Sequence, residues 1–484
     1  MNCFDYLFEK TATLQKDLIL GTGETISYFS VYEKSCQLAD YINNRIGVGN
    51  NILLISQNSS FSIIAYLGIL KSGNICIPLN PTIEQKNFDF IVNKTNSKLG
   101  IVSSSVLKKL EAPIEVISES TINSLINNEK KEINLNFDGK QIAEIIFTSG
   151  STSEPKGVMI THNNIIANTN SIVQYLNLNG NDKMLVVLPF FYCYGLSLLH
   201  THIRVGGQLV INNNFIFLAS TIKNINDYQC TGFAGVPSHF QILLRKTENF
   251  KNTVFPSLRY VTQAGGKLHD IYIREFIESF PSIQFFVMYG QTEATARLSY
   301  LPPEKLKEKL GSLGKGIPGV ELKVVNHKGQ NIMPGKIGEI IAKGENIMAG
   351  YYNDPKENSK TLRDGWLYTG DLATIDDEGY IFIKARKKEI VKVNGKRVSL
   401  KEIEETIDMI PGVIDCTIES VEDVILGEAI KATIVVADWA NDFSEDSVKQ
   451  FCSTKLARHK IPAIIKISKE LKISITGKKT KSTG

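Results

Sequence analysis

The sequence has little that would crosslink it, capture a metal or carry it across a membrane. Its seven cysteines (Cys3, Cys36, Cys76, Cys193, Cys230, Cys416 and Cys452) are odd in number, and no two lie within four residues of each other. That spacing excludes the Cys-based zinc patterns and argues against a disulfide framework, so reduced thiols and a cytoplasmic setting are expected. His200 and His202 stand two apart, but no third ligand is nearby, and ordinary core or capping roles are expected for them. No apolar run reaches the roughly 18 residues that cross a bilayer. No basic n-region followed by an apolar stretch marks a signal peptide. Neither charge sign dominates: 54 Lys and Arg against 50 Asp and Glu leave +4, with no concentrated basic surface to bind nucleic acid.

What is present describes a packed chain. Hydrophobic residues make up 43% and charged residues 21% of 484 positions, a globular composition too long for one ordinary core. Residues 30–42 and 61–70 carry helical apolar patterns, while 51–56, 75–77 and 145–147 read as buried strands. Strand, helix, strand in that order predicts a parallel sheet with crossover helices. The texture changes near residue 385. Ser399 and Glu402 have capping-box spacing at the head of an amphipathic helix with Ile403, Ile407 and Ile410 on one face; Pro411 and Gly412 end it. A strand over 429–437, a helix over 444–460 with Val448, Phe451, Cys452 and Leu456 inward, and a strand over 464–467 complete a compact α+β unit.

The strongest chemical pattern follows the strand at 145–147. It runs Thr148, Ser149, Gly150, Ser151, Thr152, Ser153, Glu154, Pro155, Lys156, Gly157. Small hydroxylated residues and glycine let backbone N–H groups and hydroxyls converge on phosphate oxygens, and Lys156 adds a mobile positive charge. Pro155 and Gly157 break the Walker A pattern. Gly314, Gly316 and Gly319 fit Gly-x-Gly-x-x-Gly, but Pro318 and the strand-like residues 320–325 follow where a dinucleotide fingerprint needs a helix.

In its order the phosphate loop resembles that of the adenylate-forming superfamily: acyl-CoA synthetases, amino-acid adenylation domains and luciferases. The resemblance recurs along most of the chain. It covers residues 67–73 with 77–81, residues 263–268, Tyr289-Gly290-Gln291-Thr292-Glu293, residues 367–372 around Asp371, residues 386–395, and Thr476-Gly477-Lys478. The pattern is most similar to AMP-forming acyl-CoA ligases. It implies an α/β fold in which a large N-terminal domain of layered sheets and helices (residues 1–384) is joined to a small mobile α+β domain (385–484), with the active site between them.

The resemblance also implies roles. Thr148, Ser149, Gly150, Ser151, Thr152 and Lys156 would grip the ATP phosphates, and Glu293 would hold Mg²⁺. Gly265, Gly266, Lys267, Tyr289, Gly290, Gln291 and Thr292 would line the adenine and α-phosphate. Asp371, Ile383 and Arg386 would bind the ribose side. Lys478 would bridge the incoming carboxylate and the 5′-oxygen, with Thr292 and Glu293 assisting. Lys388 falls at the family's hinge, and Gly395 on the loop lining its pantetheine tunnel. The implied reaction makes an acyl-AMP from a small-molecule carboxylic acid and Mg-ATP, then passes the acyl group to the thiol of CoA or of a carrier protein's phosphopantetheine.

Tyr192, with Gly265 and Gly290, is expected at the acyl group. It stands where many acyl-CoA synthetases carry His. Residues 184–203 contain no Asp or Glu to meet an amino acid's ammonium, so an uncharged substrate tail is expected, bordered by Phe190, Tyr192, Tyr194, Gly235, Val236 and Pro237. Two other readings remain: a stand-alone amino-acid adenylating enzyme loading a carrier protein, and a catalytically inactive AMP- or acyl-binding module. An inactive copy is expected to have lost Glu293, Asp371 or Lys478, and all three are present.

Overall fold

The computed structural model describes residues 1–21, 23, 25–125, 137–148, 154–387, 390–393, 396–423, 427–437, 439–440 and 443–468. Ser149, Gly150, Ser151, Thr152, Lys388, Gly395 and Lys478 lie outside them.

Two large sheets dominate the N-terminal part, as the alternating strand and helix patterns require. In the first, of seven strands among the described residues, Glu115–Ser118, Leu99–Val102, Asn51–Ile55, Ile75–Leu79 and Ile142–Thr148 run parallel; Lys156–Thr161 and Gly350–Tyr351 close the edge antiparallel. The helix Ser60–Lys71 is buried from Phe61 to Leu70 and so lies between layers; Ser59 and Ser62 cap it reciprocally. In the second sheet, nine strands among the described residues include a parallel run over Asp17–Leu20, Gln208–Ile211, Lys183–Val186, Gly232–Gly235, Tyr260–Gln263 and Gln284–Tyr289. A third sheet, of five strands among the described residues, carries Trp366–Ile375 beside Ile381–Arg386.

The last part has its own apolar core, built from Val398, Ile403, Ile407, Ile418, Ile434, Val448, Cys452 and Ile465 among others. The helix Leu400–Asp408 begins after Ser399, but the expected capping box does not form. The Ser399 side chain makes no cap bond and its hydroxyl is buried without a partner among the described residues. Ser399 also ends the strand Lys396–Ser399, paired with Ile390.

Inside the large part, the Tyr66 hydroxyl lies 2.9 Å from Glu144 Oε2 and 2.8 Å from His200 Nε2. His200 and His202 are thus core residues; burial lowers both of their pKa values. Burial pushes Glu144 up to about 7, against the lowering effect of the Tyr66 hydroxyl. The sign follows directly. Below about pH 4.5 the carboxyl is neutral folded or unfolded; above about 7 it is charged in both and the folded state carries the burial penalty. This carboxyl's contribution to stability therefore falls across that window, by at most about 3 kcal/mol, while the lowered pKa values of His200 and His202 act in the opposite direction. The difference in urea midpoint between the wild type and Glu144→Gln, measured from pH 4.5 to 8, should fall across the same window, because the histidines are common to both.

Candidate active site

Parallel strands deliver their carboxyl ends to one edge, where α/β sheets bind ligands. The strands Gly232–Gly235, Tyr260–Gln263 and Gln284–Tyr289 lie in register, with Gly235 beside Gln263 and Gln263 beside Val287. Their ends present Val236 and Pro237, then Gly265 and Gly266, then Gly290 through Glu293. Gly265 is exposed with φ +85, a conformation that favours glycine. Gly290 has no room for a side chain: a Cβ there would meet the Ala296 carbonyl oxygen at 1.9 Å. Gly290→Ala is expected to cost at least about 2 kcal/mol of stability and to abolish nucleotide binding. A denaturation midpoint and a nucleotide titration check both.

One constellation joins two sheets. Asp371, fully buried, accepts the Tyr289 hydroxyl at 2.6 Å on Oδ2 and Arg386 Nε at 2.8 Å on Oδ1. Asp371 and Arg386 are cross-strand partners on Trp366–Ile375 and Ile381–Arg386, so strand register sets this ion pair. Burial, with the adjacent Asp371 charge, raises the Tyr289 pKa far above its usual range. Beside it, Glu339 accepts from the Gly370 amide at 3.1 Å and pairs with Lys387 at 2.5 Å. Ile383, on the same strand as Arg386, is half-buried and pairs with Ala373.

A second cluster gathers around Tyr351. Lys156 follows the phosphate loop at the start of Lys156–Thr161, and its partner in the ladder is Thr148. Its ammonium pairs with Glu357 at 2.6 Å and lies 5.4 Å from the Tyr351 ring centroid. The Tyr351 hydroxyl donates to Glu293 Oε1 at 2.7 Å. The two residues expected at phosphate and metal therefore meet through one tyrosine. The half-buried Glu293 carboxylate, with Oε1 held from one side, is a hard oxygen donor suited to Mg²⁺. Thr292 is buried, its hydroxyl 3.6 Å from Cys193 Sγ, and the buried Gln291 amide nitrogen has no partner among the described residues.

Tyr192 sits at the head of the helix Cys193–Val205, its ring 5.5 Å from that of Phe191. Lys267 pairs with Glu405 of the small C-terminal unit at 2.8 Å, and the Tyr272 hydroxyl donates to the Val413 carbonyl of that unit at 3.2 Å. Tyr351, Glu357 and Glu339 gave no sign in the sequence. Each acts through a partner distant along the chain, and no local pattern marks it. Among the described residues, no group of three or more His, Cys, Asp or Glu could hold a metal, and no helix is long and apolar enough to cross a membrane.

A sheet edge of glycine turns, a buried aspartate bound to tyrosine and arginine, and a lysine and glutamate at a phosphate-type loop define a nucleotide-binding α/β enzyme of the adenylate-forming fold. The chain belongs to the AMP-binding enzyme family: residues 8–352 match that family and 402–478 match the AMP-binding enzyme C-terminal domain. Among curated relatives, the oxalate–CoA ligase of Arabidopsis thaliana is 28% identical, covering 89% of this chain and 87% of the relative. A long-chain-fatty-acid–CoA ligase of Salmonella typhimurium is 27% identical over 98% of this chain and 92% of the relative. Among solved structures, o-succinylbenzoate CoA synthetase from Bacillus subtilis with its acyl-adenylate intermediate superposes with a TM-score of 0.85 at 25% identity, covering 98% of this chain and 96% of that one. The same enzyme has been solved with ATP and magnesium ion.

Proposed function

We propose that this protein is an AMP-forming acid–CoA ligase. The observation that carries the reading is the buried Asp371–Tyr289–Arg386 cluster together with Glu293, four residues beyond Tyr289 and bonded to Tyr351 beside Lys156, in a member of this family. ATP and a carboxylate repel each other, so catalysis must neutralise phosphate charge and align the oxygens. Asp371 accepts the ribose hydroxyls, and the Tyr289 ring covers one adenine face. Lys156 leaves Glu357 for the outer phosphates. Glu293 would hold Mg²⁺, which would supply charge neutralisation at the phosphates. Thr292 bonds the α-phosphate, and Gly265, Gly266 and Gln291 border the base.

A carboxylate oxygen then attacks the α-phosphorus, and the bond to the bridging oxygen breaks, releasing pyrophosphate. Lys478 balances the charge between the attacking oxygen and the 5′-oxygen. In the second step the CoA thiolate attacks the acyl carbonyl carbon, the thiol proton passes to solvent, and AMP leaves with the shared oxygen. Lys388 serves as the hinge of the change between steps, in a two-domain chain divided near residue 384, and Gly395 lines the thiol path. The named relatives are CoA ligases, which favours CoA over a carrier protein. Their acids differ too widely to choose one for this chain.

The test supplies Mg-ATP, CoA and a carboxylic acid, and follows AMP and thioester together. Equal amounts of AMP and acyl-CoA are expected. Release of ADP, or an adenylate transferred only to a carrier protein, would reject this reading.

A further inference from the structure

We propose that Arg297 is a specificity-determining residue at the inner end of the acyl pocket, and that the acid activated here carries a second carboxylate. This rests on the ligase reading above and narrows its substrate class.

Arg297 is 2% exposed. Its backbone lies directly behind Gly290: a Cβ on that glycine would stand 2.8 Å from Arg297 Cα. Its guanidinium carbon lies 3.9 Å from the ring centroid of Tyr194, within the segment expected to border the acyl group. Tyr194 is fixed in turn by its hydroxyl, which donates to the Thr262 carbonyl at 3.0 Å on the strand leading to Gly265. The neighbouring Cys193 reaches Thr292. Arg297 therefore sits among the elements that bring Tyr192, Gly265 and Gly290 together.

Its electrostatics are incomplete. Arg204, Arg245, Arg259 and Arg386 each pair with a carboxylate at 2.6 to 2.9 Å. Among the described residues, no acid lies within 4.0 Å of Arg297. The groups that meet its guanidinium are neutral: the Ala296 carbonyl at 3.3 Å, the Tyr175 hydroxyl and the Tyr194 ring. Nε is buried without a partner among the described residues. A guanidinium stays charged at any working pH and presents five donors in one plane. Stacking on Tyr194 uses its face and leaves in-plane N–H groups for a carboxylate. A buried charge without a counter-ion is costly, and a substrate arriving with its own anion removes that cost. The expectation of an uncharged tail considered only a counter-charge for an ammonium; the arginine four residues beyond Glu293 points to the opposite sign.

The test compares matched acids in acid-dependent pyrophosphate–ATP exchange: butanoate with succinate, hexanoate with adipate, benzoate with phthalate. In at least one pair the wild type should favour the dicarboxylate by tenfold or more in kcat/KM. Arg297→Leu should lower that value about a hundredfold, while the matched monocarboxylate is unchanged or improved. Arg297→Lys should fall between them, mainly through KM, with ATP-induced thermal stabilisation intact. A wild type that favours the monocarboxylate in every pair overturns the inference and leaves the ligase reading standing; that comparison needs no variant to fold. Equal losses for both members of a pair mean that Arg297 is a structural stack on Tyr194 and also overturn it. No exchange with any acid overturns the ligase reading and this inference with it.

Discussion

Asp371→Ala should lower kcat/KM for ATP by about 100- to 1,000-fold while leaving a folded protein. The size follows from burial. Asp371 is fully enclosed and holds two donors, the Tyr289 hydroxyl and Arg386 Nε. Removing one partner of a buried, hydrogen-bonded charge pair costs roughly 2–5 kcal/mol, much of it from what is left unpaired. Here the side chain of Arg386 is 55% exposed and can turn to water, so the fold is spared. The nucleotide loses its ribose acceptor, and Tyr289 loses the bond that sets its ring. Tyr289→Phe separates these effects: it keeps the ring and the carboxylate and should cost only about tenfold. Exchange kinetics over an ATP series, with a urea midpoint for each variant, measure both. Equal effects for the two variants would shift the weight from ribose binding to the tyrosine.

Glu293→Gln should reduce turnover by about a hundredfold or more and raise the Mg²⁺ concentration needed for half-maximal rate. The amide keeps the shape and can still accept from Tyr351, so the loss reports charge rather than packing. Tyr351→Phe removes the 2.7 Å bond that orients Glu293. Outer-sphere partners of this kind typically affect metal affinity or activity by 10- to 100-fold. Its profile should show the same Mg²⁺ shift at smaller size. A magnesium titration of the three proteins decides this, and an unchanged Mg²⁺ dependence in Glu293→Gln would remove the glutamate from the metal site.

Much of this was legible from residue order. The apolar pattern at 61–70 reads as a helix, and the structure buries that helix from Phe61 to Leu70. The resemblance of residues 263–268 and 289–293 marked Gly265 and Gly290, and both lie just past strands of the second sheet. Pairings between distant strands were not legible. Asp371 and Arg386 are fifteen residues apart, and only register makes them partners. Tyr351 reaches Glu293 across 58 residues. Arg297 reads as an ordinary surface cation until its burial is known. Ser399 shows the converse: its spacing to Glu402 satisfies the capping pattern, yet its side chain makes no cap bond. The pair between Lys267 and Glu405 was equally hidden in the sequence.

The central claim is that this chain joins a carboxylic acid to AMP. Exchange of labelled pyrophosphate into ATP, with Mg²⁺ and without CoA, tests it most directly. The account predicts exchange that requires a carboxylic acid and is lost in Lys478→Ala. Exchange that proceeds without acid, or persists unchanged in Lys478→Ala, would contradict it; exchange supported by amino acids alone would favour the amino-acid-adenylating reading instead.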